Sequence, residues 1–209
     1  MRLLCGALLV AANSVAAASC GTRPAEQKPA VYVPPVGQSA AAERIVLTRA
    51  EIQRALAMGY FVGPVTTILN VHSQLHYGDY RWDDFGEPPG RVWISIDLHR
   101  QLLSVFRGPN EIGTAVILYG AHSNETPIGT FVILAKFRNH RSVTYDGASM
   151  PYTLRLTSDG VSIHGSNVRE GFATHGCIGV PIQFAAKLFN AASVGDDVII
   201  FDRDRAKAS

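Results

Sequence analysis

The stretch Val92-Trp93-Ile94-Ser95-Ile96-Asp97-Leu98 places an apolar aliphatic residue at every second position, with Trp93, Ser95 and Asp97 between them. Side chains of a strand alternate between two faces, so this segment is predicted to be a β-strand with one buried face. Working outward, short β-rich runs recur between turns: Leu102 to Phe106, Thr114 to Tyr119, Phe131 to Lys136, Thr153 to Thr157, Val161 to His164 and Asp197 to Phe201. Their spacing predicts a mainly β, sandwich-like fold. One segment breaks the pattern. Across Pro181 to Ala192, the residues Ile182, Ala185, Leu188 and Phe189 share one helical stripe behind a proline suited to a first turn. A short helix directly after Cys177 is the expectation.

Upstream, Thr48-Arg49-Ala50-Glu51 has the form of a capping box, and Ile52, Leu56 and Ala57 follow at helical spacing. Asn70 to Gly90 is irregular and polar, closed by Gly86, Pro88, Pro89 and Gly90, and reads as a loop. Residues 43–90 are therefore expected to form an accessory helix and connector, residues 91–202 the main domain, and 203–209 a tail. The whole chain has 209 residues, 47% hydrophobic and 17% charged, enough for a core that needs no disulfides or metal. A formal charge of +2 lacks the basic excess that neutralising nucleic-acid phosphates requires, so no nucleic-acid partner is expected.

Residues 1–19 have the charged, apolar and small-residue regions of a secretory signal, with Arg2 leading into Leu3 to Ala12. Cys5 would be discarded with it. Ala17-Ala18-Ser19 ahead of Cys20 resembles the bacterial lipobox, which implies lipidation of Cys20. Ala17 stands where that motif prefers leucine, and Ala16-x-Ala18 is an alternative signal-peptidase site. Residues 20–42, with Pro24, Pro29, Pro34 and Pro35, read as an extended Pro/Ala-rich tether. Contact with a membrane is expected only through this anchor, in the periplasm or cell envelope.

The chemistry lies in Ser162-Ile163-His164-Gly165-Ser166 and Thr174-His175-Gly176-Cys177-Ile178-Gly179, with Cys177 13 residues after His164. Glycines flanking a cysteine permit a tight path that presents sulfur and successive N–H groups to one point. Thiolate attack on an amide needs a base for the thiol proton and donors for the developing oxyanion. The residues alone leave a nucleophile and a buried structural cysteine both open.

Together, I-H-G and the later T-H-G-C-I resemble the signature of the L,D-transpeptidase (YkuD-type) catalytic domain, cysteine enzymes that crosslink bacterial peptidoglycan. Thr126-Pro127-Ile128-Gly129-Thr130-Phe131 after Gly120, and Met150-Pro151-Tyr152, resemble further segments of that family. The resemblance implies a β-sandwich-like domain, Cys177 as nucleophile, His164 as base and the Gly165 carbonyl as its orienting group. It also implies peptidoglycan stem peptides as substrate and no cofactor. The N–H groups of His175, Gly176 and Cys177 are oxyanion candidates; Tyr152 and Thr174 are candidates for the substrate cleft. A catalytic Cys177 is expected to have a depressed thiolate pKa. Packing roles for His175 and Tyr152 stay open. So do two alternatives to transfer: an L,D-carboxypeptidase-type hydrolase using water, and a cell-wall-binding module whose catalysis has lapsed.

Two features depart from the family pattern. Gly179 stands where arginine is usual, which removes a cation that could hold a carboxylate. The short interval between His164 and Cys177 requires a tight loop, in which Arg169 is a candidate replacement cation or a solvated side chain. His72 and His76 are four apart, as a helical metal pair would be, but no third ligand stands at matching spacing and a solvated loop is expected. His99, His122 and His140 read as isolated surface residues.

Overall fold

A computed structural model describes residues 44–57, 59–60, 63, 65–120, 125–143 and 147–203. The secretory signal, Cys5, Cys20, the tether and His122 lie outside them. Strands β1 (Arg44–Val46), β2 (Thr67–Leu69), β3 (Tyr80–Trp82), β4 (Val92–Asp97), β5 (Leu102–Arg107), β6 (Asn110–Val116) and β7 (Gly129–Val132) belong to one sheet with β12 (Asp197–Phe201). Its order is β1-β2-β6-β5-β4-β12-β7, with β3 also on β6. The smaller sheet, β11-β10-β9-β8, contains β8 (Ala135–Phe137), β9 (Thr153–Arg155), β10 (Ser162–Ser166) and β11 (Ile178–Pro181). Helices α1 (Arg49–Ala57) and α2 (Ile182–Ala191) complete the described elements.

The apolar alternation of β4 buries Val92, Ile94 and Ile96 in a core shared with Leu103, Val105 and Ile112 of the large sheet. Leu154, Ile163, Ile178 and Val180 of the small sheet pack into the same core, and α2 adds Phe184, Ala185 and Leu188. This is the apolar packing between layers that the sandwich reading anticipates.

Several local expectations change. The second face of β4 is not solvated: Ser95 is 5% and Asp97 6% exposed. Asp97 accepts the Arg100 N–H at 3.0 Å and pairs with Arg203 at 3.3 Å, while both guanidiniums lie over the Tyr60 ring. Asp97 on this face is therefore enclosed by partners of its own. The run Phe131 to Lys136 is two strands in different sheets. Ile133 donates to Asp196 at 3.0 Å and Leu134 to Arg155 at 2.7 Å, so the chain turns a corner between them from one sheet to the other.

The polar stretch 70–90 contains β3, which pairs antiparallel with β6 and sets Trp82 edge-to-face on Phe184, centroids 5.5 Å apart. A Cβ at Gly113 would stand 2.4 Å from the Trp82 ring, so the glycine makes room for that indole. With β1 and β2 paired beside β6, the large sheet continues across Gly90. The capping box forms: the Thr48 N–H donates to Glu51 at 2.7 Å, and the Glu51 N–H to the Thr48 hydroxyl at 3.3 Å. Helix α2 does not directly follow Cys177, because β11 stands between them.

Candidate active site

Parallel pairing of β10 with β11 sets His164 beside Gly179 and Ile163 beside Ile178. Cys177 sits in the bend just before β11, two residues ahead of His164's register partner. A second segment flanks the bend on its other side: Leu118 and Gly179 exchange N–H···O bonds of 2.8 and 2.9 Å, and the Thr174 N–H reaches the Tyr119 carbonyl at 3.0 Å. Backbone pairing thus holds the two ends of the cysteine turn, at Thr174 and from Ile178 on.

His164 is buried, and its Nδ1 lies 3.0 Å from the Gly165 carbonyl. A carbonyl only accepts, so this bond requires Nδ1–H and leaves Nε2 with the lone pair of a base. Burial pulls the imidazole pKa below its ordinary 6.5; the Gly165 carbonyl opposes the shift and nearby His140 adds to it. The ring is accordingly neutral at pH 7.

Cys177 is partly buried. Its Sγ lies 3.8 Å from the Gly160 carbonyl and accepts from the Ser162 N–H. Burial raises the thiol above its ordinary 9.0, the Ser162 N–H opposes this, and Asp159 reinforces it. The expected depression of the thiolate pKa is thus reversed in direction. Desolvation outweighs the donor. A neutral thiol and a neutral imidazole would suit activation by proton transfer during attack, in place of a standing thiolate.

The remaining candidates are placed as follows. The Thr174 hydroxyl donates to the Cys177 carbonyl and braces the turn. Gly176 is buried at φ +102°, a conformation in which a side chain is strained. His175 is exposed on the same turn. Tyr152 lies outside any strand, at φ +56°, with its ring edge-on to Phe189 at 5.9 Å. The ring packs on α2 with Arg138 over its face. Arg169 is exposed and donates to its neighbour Asn167 at 3.0 Å.

His72 and His76 lie in irregular chain between β2 and β3, and no group of three or more His, Cys, Asp or Glu side chains able to hold a metal occurs among the described residues. A cavity of about 700 Å³ opens between that chain and strands of the large sheet, lined by His76, Gln101 and Glu111 among others but not by Cys177 or His164. Sequence reasoning missed Thr126, Asp159 and His140 as neighbours of the site. Only Thr126 stood within a recognised motif.

Gly179 has a packing reason. A Cβ there would lie 2.9 Å from the Ser166 Cβ and 3.2 Å from its hydroxyl. Gly179→Arg is expected to destabilise the fold by about 1–3 kcal/mol, the cost of overpacking, and Ser166→Gly in the same chain should recover most of that loss. Urea denaturation of the single and double variants checks this. An unchanged midpoint in the single variant would mean that Ser166 moves aside freely.

The family model for the L,D-transpeptidase catalytic domain (YkuD) matches residues 91–200. The fold is similar to the crystal structure of an L,D-transpeptidase (Yku) from Stackebrandtia nassauensis, with TM-score 0.50 and 23% identity over 56% of this chain and 60% of that one. It is equally similar to an L,D-transpeptidase from Mycobacterium tuberculosis H37Rv, with TM-score 0.50 and 23% identity over 53% of this chain and 57% of that one. The likeness therefore spans about three fifths of those chains, and at such identity it speaks for the fold. Among curated proteins, none matches.

Proposed function

Since the chain belongs to the YkuD family of L,D-transpeptidase catalytic domains, we propose that it is a cysteine acyltransferase acting on peptidoglycan stem peptides. The observation that supports this most is the β10–β11 pairing, which sets His164, with Nδ1 on the Gly165 carbonyl, beside Gly179, two residues after the partly exposed Cys177.

In the proposed reaction the Cys177 side chain turns from Gly160 and Ser162 toward the imidazole. Sγ attacks the carbonyl of the third stem residue as its proton passes to His164 Nε2. Backbone N–H groups of the cysteine turn stabilise the oxyanion. The carbon–nitrogen bond to the terminal D-residue then breaks, and the imidazolium returns its proton to the departing amine. An amine of a second stem attacks the thioester and releases the thiol. Gly165 serves by holding the imidazole tautomer, which its carbonyl favours in the charged form as well.

The reading extends to location. The N-terminal signal exports the chain, and lipidated Cys20 tethers the domain to a membrane through residues 20–42. Recovery of mature protein in the soluble periplasmic fraction with Ser19 at its N-terminus would rule out the anchor.

Incubating the purified protein with tetrapeptide muropeptides and weighing the products tests the activity. Crosslinked dimers lacking one terminal D-residue are expected. Tripeptides alone would mean that water is the acceptor, and unchanged substrate would favour a binding module.

A further inference from the structure

Thr126 is 1% exposed, and its hydroxyl both accepts and donates a hydrogen bond. It accepts the Gly120 N–H at 2.9 Å and donates to the Gly176 carbonyl at 3.0 Å, 50 residues along the chain. A trans peptide is planar, with its C=O and N–H pointing in opposite directions. Anchoring the Gly176 carbonyl on a buried threonine therefore points the Cys177 N–H away from Thr126.

We infer that Thr126 is a positioning residue, a latch that holds the Gly176–Cys177 peptide with its N–H presented to the oxyanion formed at Cys177. The inference rests on the acyl-transfer reading above and assigns that reading a determinant outside the cysteine turn. Gly176, at φ +102°, lets its peptide neighbours rotate more freely than another residue would, so the turn needs an external hold. Without the hydroxyl, the buried carbonyl has lost its donor. A flip that turns it to water then becomes favourable and withdraws the N–H from the site. The Thr174 hydroxyl, on the Cys177 carbonyl, fixes the following peptide but leaves this one free.

Two reactions of the same sulfur separate this role from general support. Alkylation by iodoacetamide displaces iodide without forming an oxyanion. With p-nitrophenyl acetate, Sγ bonds to the ester carbonyl carbon, the thiol proton passes to His164, and the bond to nitrophenolate breaks after an oxyanion has formed. In the full-length protein, Thr126→Val is expected to slow release of nitrophenolate about 10- to 100-fold while alkylation changes less than about twofold. Thr126→Ser, which restores a hydroxyl, should recover most of the lost rate. Equal slowing of both reactions, or unchanged acylation, would overturn the latch. If Thr126→Val does not fold, Thr126→Ala takes its place, and failure of both to fold would assign Thr126 to stability alone. Wild-type protein that alkylates but never acylates would instead overturn the acyl-transfer reading, and the latch with it.

Discussion

Cys177→Ala is expected to abolish product formation from tetrapeptide muropeptides, a loss of roughly 10⁴-fold or more, the scale of removing a nucleophile. The fold should survive, because the turn is held by backbone pairing and by the Thr126 and Thr174 hydroxyls, none of which uses the sulfur. A strained β-lactam offers a second view of the same atom. A carbapenem is expected to acylate Cys177 and add its mass once per chain, with no adduct on Cys177→Ala. If Cys5 is removed and Cys20 carries lipid, Cys177 is the one free thiol of the mature protein. The rate tests the consequence of Gly179, since a carbapenem carboxylate finds no guanidinium at that position. Lack of any adduct on reduced protein after long incubation would favour the binding-module reading.

His164→Ala should lower acyl-enzyme formation by roughly 10² to 10⁴, the usual range for a lost general base. The pH profile of the intact protein gives the complementary measurement. Catalysis by a base requires the neutral ring, and burial holds the His164 pKa below the ordinary 6.5. Acylation should therefore persist as pH falls through 6.5 and decline only at lower pH. On the alkaline side the thiol pKa lies above the ordinary 9.0, so iodoacetamide alkylation should be slow at pH 7 and climb beyond pH 9. Fast, pH-independent alkylation near neutrality would instead reveal a standing thiolate, and would shift the activation step from proton transfer during attack to an ion pair formed in advance.

The parts of this fold that could be read in the sequence are those whose burial pattern is local. β4, β5 and β12 each run long enough for apolar alternation or a continuous apolar run to mark them. β1, β2 and β3 have three residues each, too few for a period, and they exist because β6 or a neighbour supplies the ladder. The corner between β7 and β8 was hidden for a different reason: Ile133 and Leu134 are both apolar, and no glycine or proline marks the change of sheet. β11 was masked by the glycine and proline within it.

The same division holds at the site. Cys177 and His164 stood out as candidates because I-H-G and T-H-G-C-I resemble a family signature; their neighbours alone left a structural cysteine equally open. Thr126, His140 and Asp159 act on the site across the fold, through a hydrogen bond or a charge, and no spacing announces that. The direction of the Cys177 shift was likewise invisible, since desolvation depends on everything packed around a group and not on its adjacent residues.

The position of β12 has a consequence for when the fold can form. This last strand lies between β4 and β7, parallel to β4, with Asp197 beside Trp93 and Phe201 beside Asp97. About half the chain separates those partners, so the loop-closure entropy of that pairing must be met before its contacts can reward it. Until Asp197–Phe201 is available, the facing backbone edges of β4 and β7 stay unpaired, and β7 is separate from the rest of the large sheet. A chain emerging from its N-terminus therefore assembles hairpins first and completes the large sheet only when Asp197–Phe201 arrives. Loss of Asp197–Phe201 would remove the strand that joins β7 to the rest of the large sheet, however far Phe201 stands from the thiol in sequence.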